Sequence, residues 1–159
     1  MHEISKAIIK AFKNGNKLFV CGNGGSASES DHFVGEFVGR FEKDREALPA
    51  ISLNSNTAIL TAVANDFGYH KVFSRQLEAL GKPGDILVTL STSGTSKNIT
   101  EAQIRAKELE MEVFTFPTKT ELQDEYGGET LEYTTAVTQE EHLHLIHQIA
   151  REVERAMFL

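Results

Sequence analysis

The sequence predicts an α/β protein, a three-layer sandwich with helices on both faces of a mostly parallel sheet of roughly five strands. Helical and strand-like segments alternate along the 159 residues. The predicted strands are unbroken apolar runs, which is typical of sheets buried on both faces. The length suits one core, so we expect residues 1–159 to form a single domain.

The elements of the first half follow from apolar spacing and from stop and cap signals. Apolar residues at helical spacing begin at Ile4, and Gly15 ends that pattern. Ser26 and Glu29 have the spacing of a capping box, and apolar positions continue behind them to Phe41. The predicted elements are a helix at 4–12, a strand at 17–21, a helix from Ser26 to Phe41, a strand at 49–53 and a helix at 57–64.

The second half continues the same alternation. Its clearest strand is the apolar run "DILVTLS", and the polar, glycine-containing stretch 117–130 is predicted to be a loop. The predicted elements are a helix at 70–80, a strand at 85–91, a helix at 96–109, a strand at 112–116, a weak strand near 131–134 and a helix at 138–157.

Composition excludes several classes of partner. The net charge is −7, and the sequence has no cluster of five or more basic residues, which argues against binding to nucleic acid or to a membrane surface. The single cysteine, Cys21, ends an apolar run, so we expect a buried small hydrophobe rather than a nucleophile. Neither a signal peptide nor an 18-residue apolar stretch is readable. We therefore expect a cytoplasmic protein.

The loop 91–96, "STSGTS", is the strongest candidate for an anion site. It contains five hydroxyl residues and one glycine, and it follows a strand and precedes a helix. Hydroxyl groups and free backbone N–H groups at a helix N-terminus bind phosphate. The Walker A pattern is absent, which favours a phosphate monoester over a nucleoside triphosphate. The alternative is a Ser/Thr-rich helix cap.

The turn 22–27, "GNGGSA", resembles half of a dinucleotide fingerprint. Gly22, Gly24 and Ala27 match G-x-G-x-x-A, but the second strand is followed by Asn54 and Asn56 and by no carboxylate that could bind ribose. Dinucleotide binding is therefore disfavoured. The simplest alternative is a tight turn between a strand and a helix.

Two groups of residues suggest a metal. His32 and Glu36 are one helical turn apart and could supply half of a zinc site, although such pairs are commonly solvated surface pairs. Three of the six histidines, His142, His144 and His147, lie close together in the last helix. Spacing alone does not decide which of them would bind a metal, and His144 with His147 is the simplest pair.

Four motifs in order resemble the phosphoheptose isomerases of the sugar-isomerase (SIS) domain superfamily. They are "CGNGGSASESDHFVGE" (21–36), "TAVANDFGY" with "VFSRQ" (61–76), "GDILVTLSTSGTSKN" (84–98) and "QEEHLHLIH" (139–147). The resemblance extends from about Ile4 to Glu154. It implies a flavodoxin-like sandwich and a homotetramer with active sites at subunit interfaces. It also implies interconversion of sedoheptulose 7-phosphate and D-glycero-D-manno-heptose 7-phosphate through an enediol(ate), on the way to lipopolysaccharide.

The resemblance also implies roles for individual residues. The zinc ligands would be His32, Glu36, Gln139 and His147, so that Gln139 is preferred to His144. The phosphate would contact Ser91, Thr92, Ser93 and Ser96. The sugar would contact Asn23, Gly24, Gly25, Asn65 and Asp66, with Glu36 and Gln139 also touching the substrate. Glu36 would be the catalytic base and His147 the acid.

The sequence departs from the family pattern in two places, and two other functions compete. The additional helix that usually precedes the one at Ile4 is missing, and residues 117–130 differ from the usual glycine-rich turn. One alternative is a non-catalytic SIS protein, either a sugar-phosphate-binding regulator or an adaptor for a replication initiator. The other is an isomerase of hexose phosphates. The presence of both Glu36 and His147 favours an enzyme over the non-catalytic proteins. The motif "QEEHLHLIH", which the hexose-phosphate isomerases of the superfamily lack, favours the heptose substrate.

Overall fold

The computed structural model describes residues 1–127 and 132–159, and its centre is a parallel sheet. The strands are β1 (Leu18–Gly22), β2 (Ala50–Ser52), β3 (Ile86–Leu90) and β4 (Glu112–Thr115). Their order is β2-β1-β3-β4, and every neighbouring pair is parallel. The α/β class with a parallel sheet is therefore confirmed.

Seven α-helices surround this sheet within the described residues. They are α1 (Glu3–Lys13), α2 (Gly25–Val38), α3 (Thr57–Phe67), α4 (Ser74–Leu80), α5 (Lys97–Glu108), α6 (Lys119–Leu122) and α7 (Thr135–Phe158). A 3₁₀ turn at Tyr69–Lys71 precedes α4, and a π-helical turn at Gln123–Gly127 follows α6. None of the helices in the described ranges is both long and apolar enough to cross a membrane.

The alternation of side chains in β1 divides the core into two halves. Leu18 and Val20 pack in one cluster with apolar residues of α1, α2 and α7. Phe19 and Cys21 pack in the other, with α3, α4 and α5. All of β1 is buried, as expected for a strand between two helical layers. The predicted three-layer sandwich is present.

The predicted fifth strand near 131–134 is not formed by the residues that the structure describes. Residues 132–134 lie outside any strand, and residue 131 lies outside the described ranges. The Thr134 side chain accepts a hydrogen bond from the Val137 N–H, so this segment caps α7 instead. For the same reason α7 begins at Thr135, three residues before the predicted start.

The predicted capping box at Ser26 is wrong. Helix α2 begins at Gly25, its N-cap is Gly24 at φ +58°, and Ser26 already lies buried in the first turn. The tight turn after β1 needs this positive φ, which a glycine adopts without strain. The same helix ends at Val38 and is followed by Gly39, so Phe41 lies beyond it.

The prediction of a loop over 117–130 is wrong for its first part. The described residues include the short helix α6 and the π-helical turn that follows it. Thr118 and Glu121 form a capping box, in which each side chain bonds the backbone N–H of the other. Hydrogen bonds from the Thr118 backbone and hydroxyl hold the pKa of Glu121 below its usual value. Residues 128–130 of the predicted loop lie outside the described ranges.

Candidate active site

Two loops lie side by side where the strand order reverses. Gly22, the last residue of β1, is paired in register with Leu90, the last residue of β3. Residues 23–25, called the sugar loop after their predicted contact, and residues 91–96, called the phosphate loop for the same reason, therefore begin at the same edge of the sheet. Ligands of doubly wound α/β proteins bind outside the carboxyl ends of the strands at this switch point.

Three side chains predicted to bind metal converge between α2 and α7. Nε2 of His32 lies 3.0 Å from Nε2 of His147 and 3.0 Å from Oε1 of Glu36. Nε2 of His147 lies 4.0 Å from the same Glu36 oxygen. One nitrogen or oxygen from each residue thus falls within 4.8 Å of the others. We call these three residues the His–Glu–His group.

The chemistry of the His–Glu–His group suits zinc. Two imidazole nitrogens and one carboxylate oxygen are a donor set that catalytic zinc sites use, with further positions left for other ligands. Glu36 is partly buried, whereas about two fifths of each imidazole is exposed (42% of His32 and 38% of His147). The group is therefore more buried on the Glu36 side and accessible to a small molecule on the side of the two imidazoles.

Buried neighbours on both helices fix the His–Glu–His group. Phe33 and Phe37 of α2 are 0% and 1% exposed, and each directly follows a member of the group in sequence. Ile146, beside His147 on α7, is fully buried in the same core cluster. Phe41, beyond the end of α2, packs its ring 5.6 Å from that of His147. Each member is therefore held by a packed helix rather than by a loop.

Arg45 connects the two helices that carry the His–Glu–His group. Its guanidinium donates to the carbonyl oxygens of Glu36 (2.6 Å) and Phe37 (2.8 Å) at the C-terminus of α2. It also pairs with Glu154 of α7 at 3.2 Å, and both side chains of this ion pair are 3% exposed. The buried pair therefore fixes the end of α2 relative to α7.

The other three candidate residues on α7 each have a different environment. Gln139 lies against the start of α2, where a β-carbon on Gly25 would overlap its side-chain amide. His144 is exposed and accepts a hydrogen bond from the Gln148 amide at 2.8 Å, so it is not part of the His–Glu–His group. His142 is fully buried and donates from Nε2 to the Pro117 carbonyl at 2.7 Å. The preference for His147 over His144 thus agrees with the geometry.

The phosphate loop has the form expected of an anion site at a helix N-terminus. Ser91 is buried and its hydroxyl accepts from the Gly94 N–H at 3.1 Å, while Ser93 is exposed and accepts from the Thr95 N–H at 3.3 Å. Ser96 is the N-cap of α5, but its side chain makes no capping hydrogen bond. The first N–H groups of α5 therefore point towards the loop end of the helix without a capping side chain from Ser96.

Helix α6, which the sequence did not predict, packs against the phosphate loop. The Lys119 N–H donates to the carbonyl oxygen of Thr92 at 2.9 Å. Gly94 has φ +70°, and a β-carbon there would lie 2.9 Å from the Thr118 methyl group. The segment that departs from the family pattern thus supports the loop directly.

The predicted sugar contacts fall into two places. The end of β1, directly before the sugar loop, is fixed to the segment that follows β2, because the Gly22 N–H donates to Asn54 Oδ1 at 3.0 Å and Asn54 Nδ2 donates to the Gly22 carbonyl at 2.8 Å. Asn65 and Asp66 are exposed near the C-terminus of α3, where Asn65 Nδ2 donates to Asp66 Oδ1 at 2.9 Å. Within the described ranges, no hydrogen bond joins these two to the other predicted site residues.

Three residues near the site were not predicted from the sequence. Arg45 gave no local signal, because its partners lie at the end of α2 and on α7. Asn98 and Tyr69 both lie inside or beside the recognised motifs, and both bond the side chain of Asn23. Counting the hydrogen-bonding polar residues of each motif would have identified Asn98 and Tyr69 as candidates.

Cys21 has no role in this chemistry. It is fully buried at the end of β1, and burial raises the pKa of its thiol far above the ordinary value. A thiol that stays protonated is a poor nucleophile and metal ligand. The interpretation of Cys21 as a buried hydrophobic residue agrees with this geometry.

Comparison with known proteins gives the class first. The SIS domain family model matches residues 1–116, so the chain belongs to the SIS domain family. A phosphoheptose isomerase of Clostridium acetobutylicum is 42% identical over 168 residues, which cover 99% of this chain and 83% of the relative. One from Synechocystis sp. is 46% identical over 155 residues, with 95% and 80% covered. Within the SIS domain family, the chain belongs to the phosphoheptose isomerases.

Solved structures agree with this assignment. The phosphoheptose isomerase of Neisseria gonorrhoeae superposes with a TM-score of 0.83 at 34% identity, over 96% of this chain and 83% of that chain. The Francisella tularensis protein gives 0.84 at 35% identity, with the same coverage. Family membership supports an isomerase activity for this protein.

Proposed function

We propose that this protein interconverts sedoheptulose 7-phosphate and D-glycero-D-manno-heptose 7-phosphate. The single observation that carries the proposal is the His–Glu–His group, in which a carboxylate and two imidazoles meet between α2 and α7. The names of the relatives supply the substrate, and the phosphate loop supplies a site for its phosphate. The ligands, the zinc and the assembly described below are parts of the same proposal.

The reaction moves one hydrogen between two neighbouring carbons and requires a base and an acid. Glu36 removes the proton from C1 of the ketose, and His147 gives a proton to the oxygen on C2, which yields the enediol. Glu36 then returns its proton to C2 while the hydroxyl on C1 gives its proton to His147, which leaves the aldose and restores both residues. Glu36 faces His32 through Oε1, and no residue of the described ranges hydrogen-bonds its second oxygen, which carries the proton.

Zinc held by His32, Glu36, Gln139 and His147 would supply a Lewis acid that polarises the substrate carbonyl. The first two ligands lie on α2 and the other two on α7. Three of these four side chains belong to the His–Glu–His group, and Gln139 approaches the start of α2 from the same helix as His147. The contact with Gly25 supports Gln139 as a substrate contact, whereas its proposed role as a fourth ligand rests on the resemblance to the family.

The remaining parts of the substrate bind at the sheet edge. Ser91, Thr92, Ser93 and Ser96 bind the phosphate with the N-terminus of α5. Gly24 and Gly25 present backbone groups to the sugar hydroxyls, beside Asn23. The exposed position of Asn65 and Asp66 fits a homotetramer with active sites between subunits, because residues that do not meet their own site can serve a neighbouring one.

The test is turnover of sedoheptulose 7-phosphate by the zinc-loaded protein, measured as aldose formation beside fructose 6-phosphate. We expect turnover of the heptulose and at least about tenfold lower kcat/KM with the hexose, a ratio within the range that pocket contacts provide. If neither sugar is turned over, the result would favour the non-catalytic regulator or adaptor. A preference for the hexose would favour the other isomerase.

A further inference from the structure

The side-chain amides of Asn23 and Asn98 form a reciprocal pair between the two loops. Asn98 Nδ2 donates to Asn23 Oδ1 at 2.8 Å, and Asn23 Nδ2 donates to Asn98 Oδ1 at 2.9 Å. Asn98 lies in the first turn of α5, directly behind the phosphate loop, and is 3% exposed. Asn23 begins the sugar loop. The pair therefore joins the two segments that would bind opposite ends of the substrate.

The hydrogen bonds that Asn23 makes within the protein use most of the hydrogen-bonding capacity of its side chain. Its Oδ1 also accepts from the Tyr69 hydroxyl at 2.9 Å. An amide oxygen has two lone pairs, so both are occupied by Asn98 and Tyr69. One of the two Nδ2 hydrogens bonds Asn98, which leaves a single hydrogen. The sugar loop must therefore bind a sugar mainly through the backbone of its glycines.

Asn98 is equally constrained. Its Oδ1 accepts from the Ile99 N–H at 3.0 Å in addition to Asn23 Nδ2. A buried amide whose partner is removed loses the hydrogen bond and keeps the cost of desolvation. The orientation of Asn98 is thus fixed by α5 on one side and determines the orientation of Asn23 on the other.

We propose that Asn98 is a positioning residue that sets the spacing between the sugar loop and the phosphate loop. Tyr69 helps to hold Asn23 in place through its hydrogen bond to the same side chain. The proposal rests on the proposed function, because it assigns the sugar and the phosphate to these loops. The His–Glu–His group is fixed separately, by the packing of α2 on β1 and α7. Loss of Asn98 therefore affects substrate binding more than the chemical step.

Three variants test this role. Asn98→Ala removes the amide pair, and Tyr69→Phe removes one hydrogen bond from an exposed side chain that the core does not need. Asn16→Ala is the matched control, because the Asn16 amide bonds Pro83 (3.0 Å) and Asp85 (3.1 Å) at the opposite end of the sheet. All three are compared with the wild type as zinc-loaded protein.

The readouts are calorimetric affinities for sedoheptulose 7-phosphate and for inorganic phosphate, with KM and kcat recorded separately. We expect Asn98→Ala to weaken sugar-phosphate affinity and raise KM about tenfold, with kcat within about threefold of wild type. Tyr69→Phe should give about a twofold to fivefold effect. Affinity for inorganic phosphate should stay within about twofold in both. Asn16→Ala should lower thermal stability and leave KM unchanged.

The outcomes separate this role from a structural one and from the proposed function. Unchanged sugar-phosphate affinity in Asn98→Ala and Tyr69→Phe would overturn the positioning role. Equal loss of inorganic phosphate binding would also overturn it, because Asn98 would then only support α5. A wild type that binds the sugar phosphate but does not turn it over would refute the isomerase while the affinities still test Asn98. A wild type that binds neither ligand would refute both.

Discussion

Nε2 of His32 and Nε2 of His147 lie 3.0 Å apart although the residues are 115 positions apart in sequence. Two imidazole nitrogens at this distance can share one hydrogen, but they cannot both point a hydrogen at the other. A cation bound by both nitrogens would take the place of that hydrogen. The contact between α2 and α7 therefore brings two imidazole nitrogens and the Glu36 carboxylate to one place, where a small cation could bind.

Replacement of His147 by alanine should remove bound metal. We expect zinc content to fall from about one ion per chain to well below half, because one of the four proposed ligands is lost from a catalytic-type site. His144→Ala is the matched control, since His144 lies one turn away on the same helix and bonds Gln148 instead. Elemental analysis after dialysis measures both. Equal zinc content in the two variants would show that His147 is not a ligand.

Replacement of Glu36 by glutamine should abolish proton transfer while the fold survives. We expect kcat to fall by about 100-fold or more, because the amide cannot act as the base. Circular dichroism and the melting temperature should remain close to wild type. Glu42→Gln, which removes only an exposed ion pair with Arg151, is the control and should retain activity. Near-normal turnover by Glu36→Gln would show that Glu36 is not the catalytic base.

Replacement of Ser93 by alanine should mainly weaken substrate binding. The Ser93 hydroxyl is exposed in the phosphate loop and accepts hydrogen bonds only from Thr95 among the described contacts. We expect KM to rise by about threefold to tenfold with little change in kcat, since the phosphate is remote from the reacting carbons. Thr100→Ala, on the exposed surface of α5, is the control. An unchanged KM would exclude Ser93 from phosphate binding.

Breaking the Arg45–Glu154 pair should destabilise the protein strongly. Arg45→Met leaves the Glu154 carboxylate buried without its guanidinium partner, which costs about 3–5 kcal/mol in the free energy of unfolding. The double variant with Glu154→Met should recover part of the loss, because two apolar side chains replace the ion pair. Urea unfolding at one protein concentration measures these changes.

The exposed Arg151–Glu42 pair supplies the comparison for Arg45. Its side chains are 37% and 43% exposed, so Arg151→Met should cost less than about 1 kcal/mol. If Arg45→Met costs no more than Arg151→Met, the buried pair does not hold α2 and α7 together.

Much of the fold was predictable because its signals are local. The strands of a doubly covered sheet are continuous apolar runs, and all four observed strands fall within or overlap predicted ones. The errors also have local causes. Ser26 and Glu29 match a capping box, yet the glycine turn after β1 starts the helix one residue earlier. The true box at Thr118 was missed because no apolar periodicity follows it.

The site was only half predictable from residue spacing. The pair His32 and Glu36 is visible as i,i+4, but its partner His147 comes from a helix that only the fold brings near. In the sequence, only the resemblance to the family indicates that partner. Arg45 contacts Glu154, which is 109 positions away in sequence, and Asn98 contacts Asn23, which is 75 positions away. Contacts between residues so far apart in sequence leave no periodic pattern.

The most direct test of the account is turnover of sedoheptulose 7-phosphate measured while zinc is titrated into chelated wild-type protein. The His–Glu–His group is proposed to hold the metal that the isomerisation requires. We predict negligible turnover without metal and a linear rise that levels off near about one zinc per chain. Full turnover by metal-free protein would contradict the proposal that this group is a zinc-dependent catalytic centre.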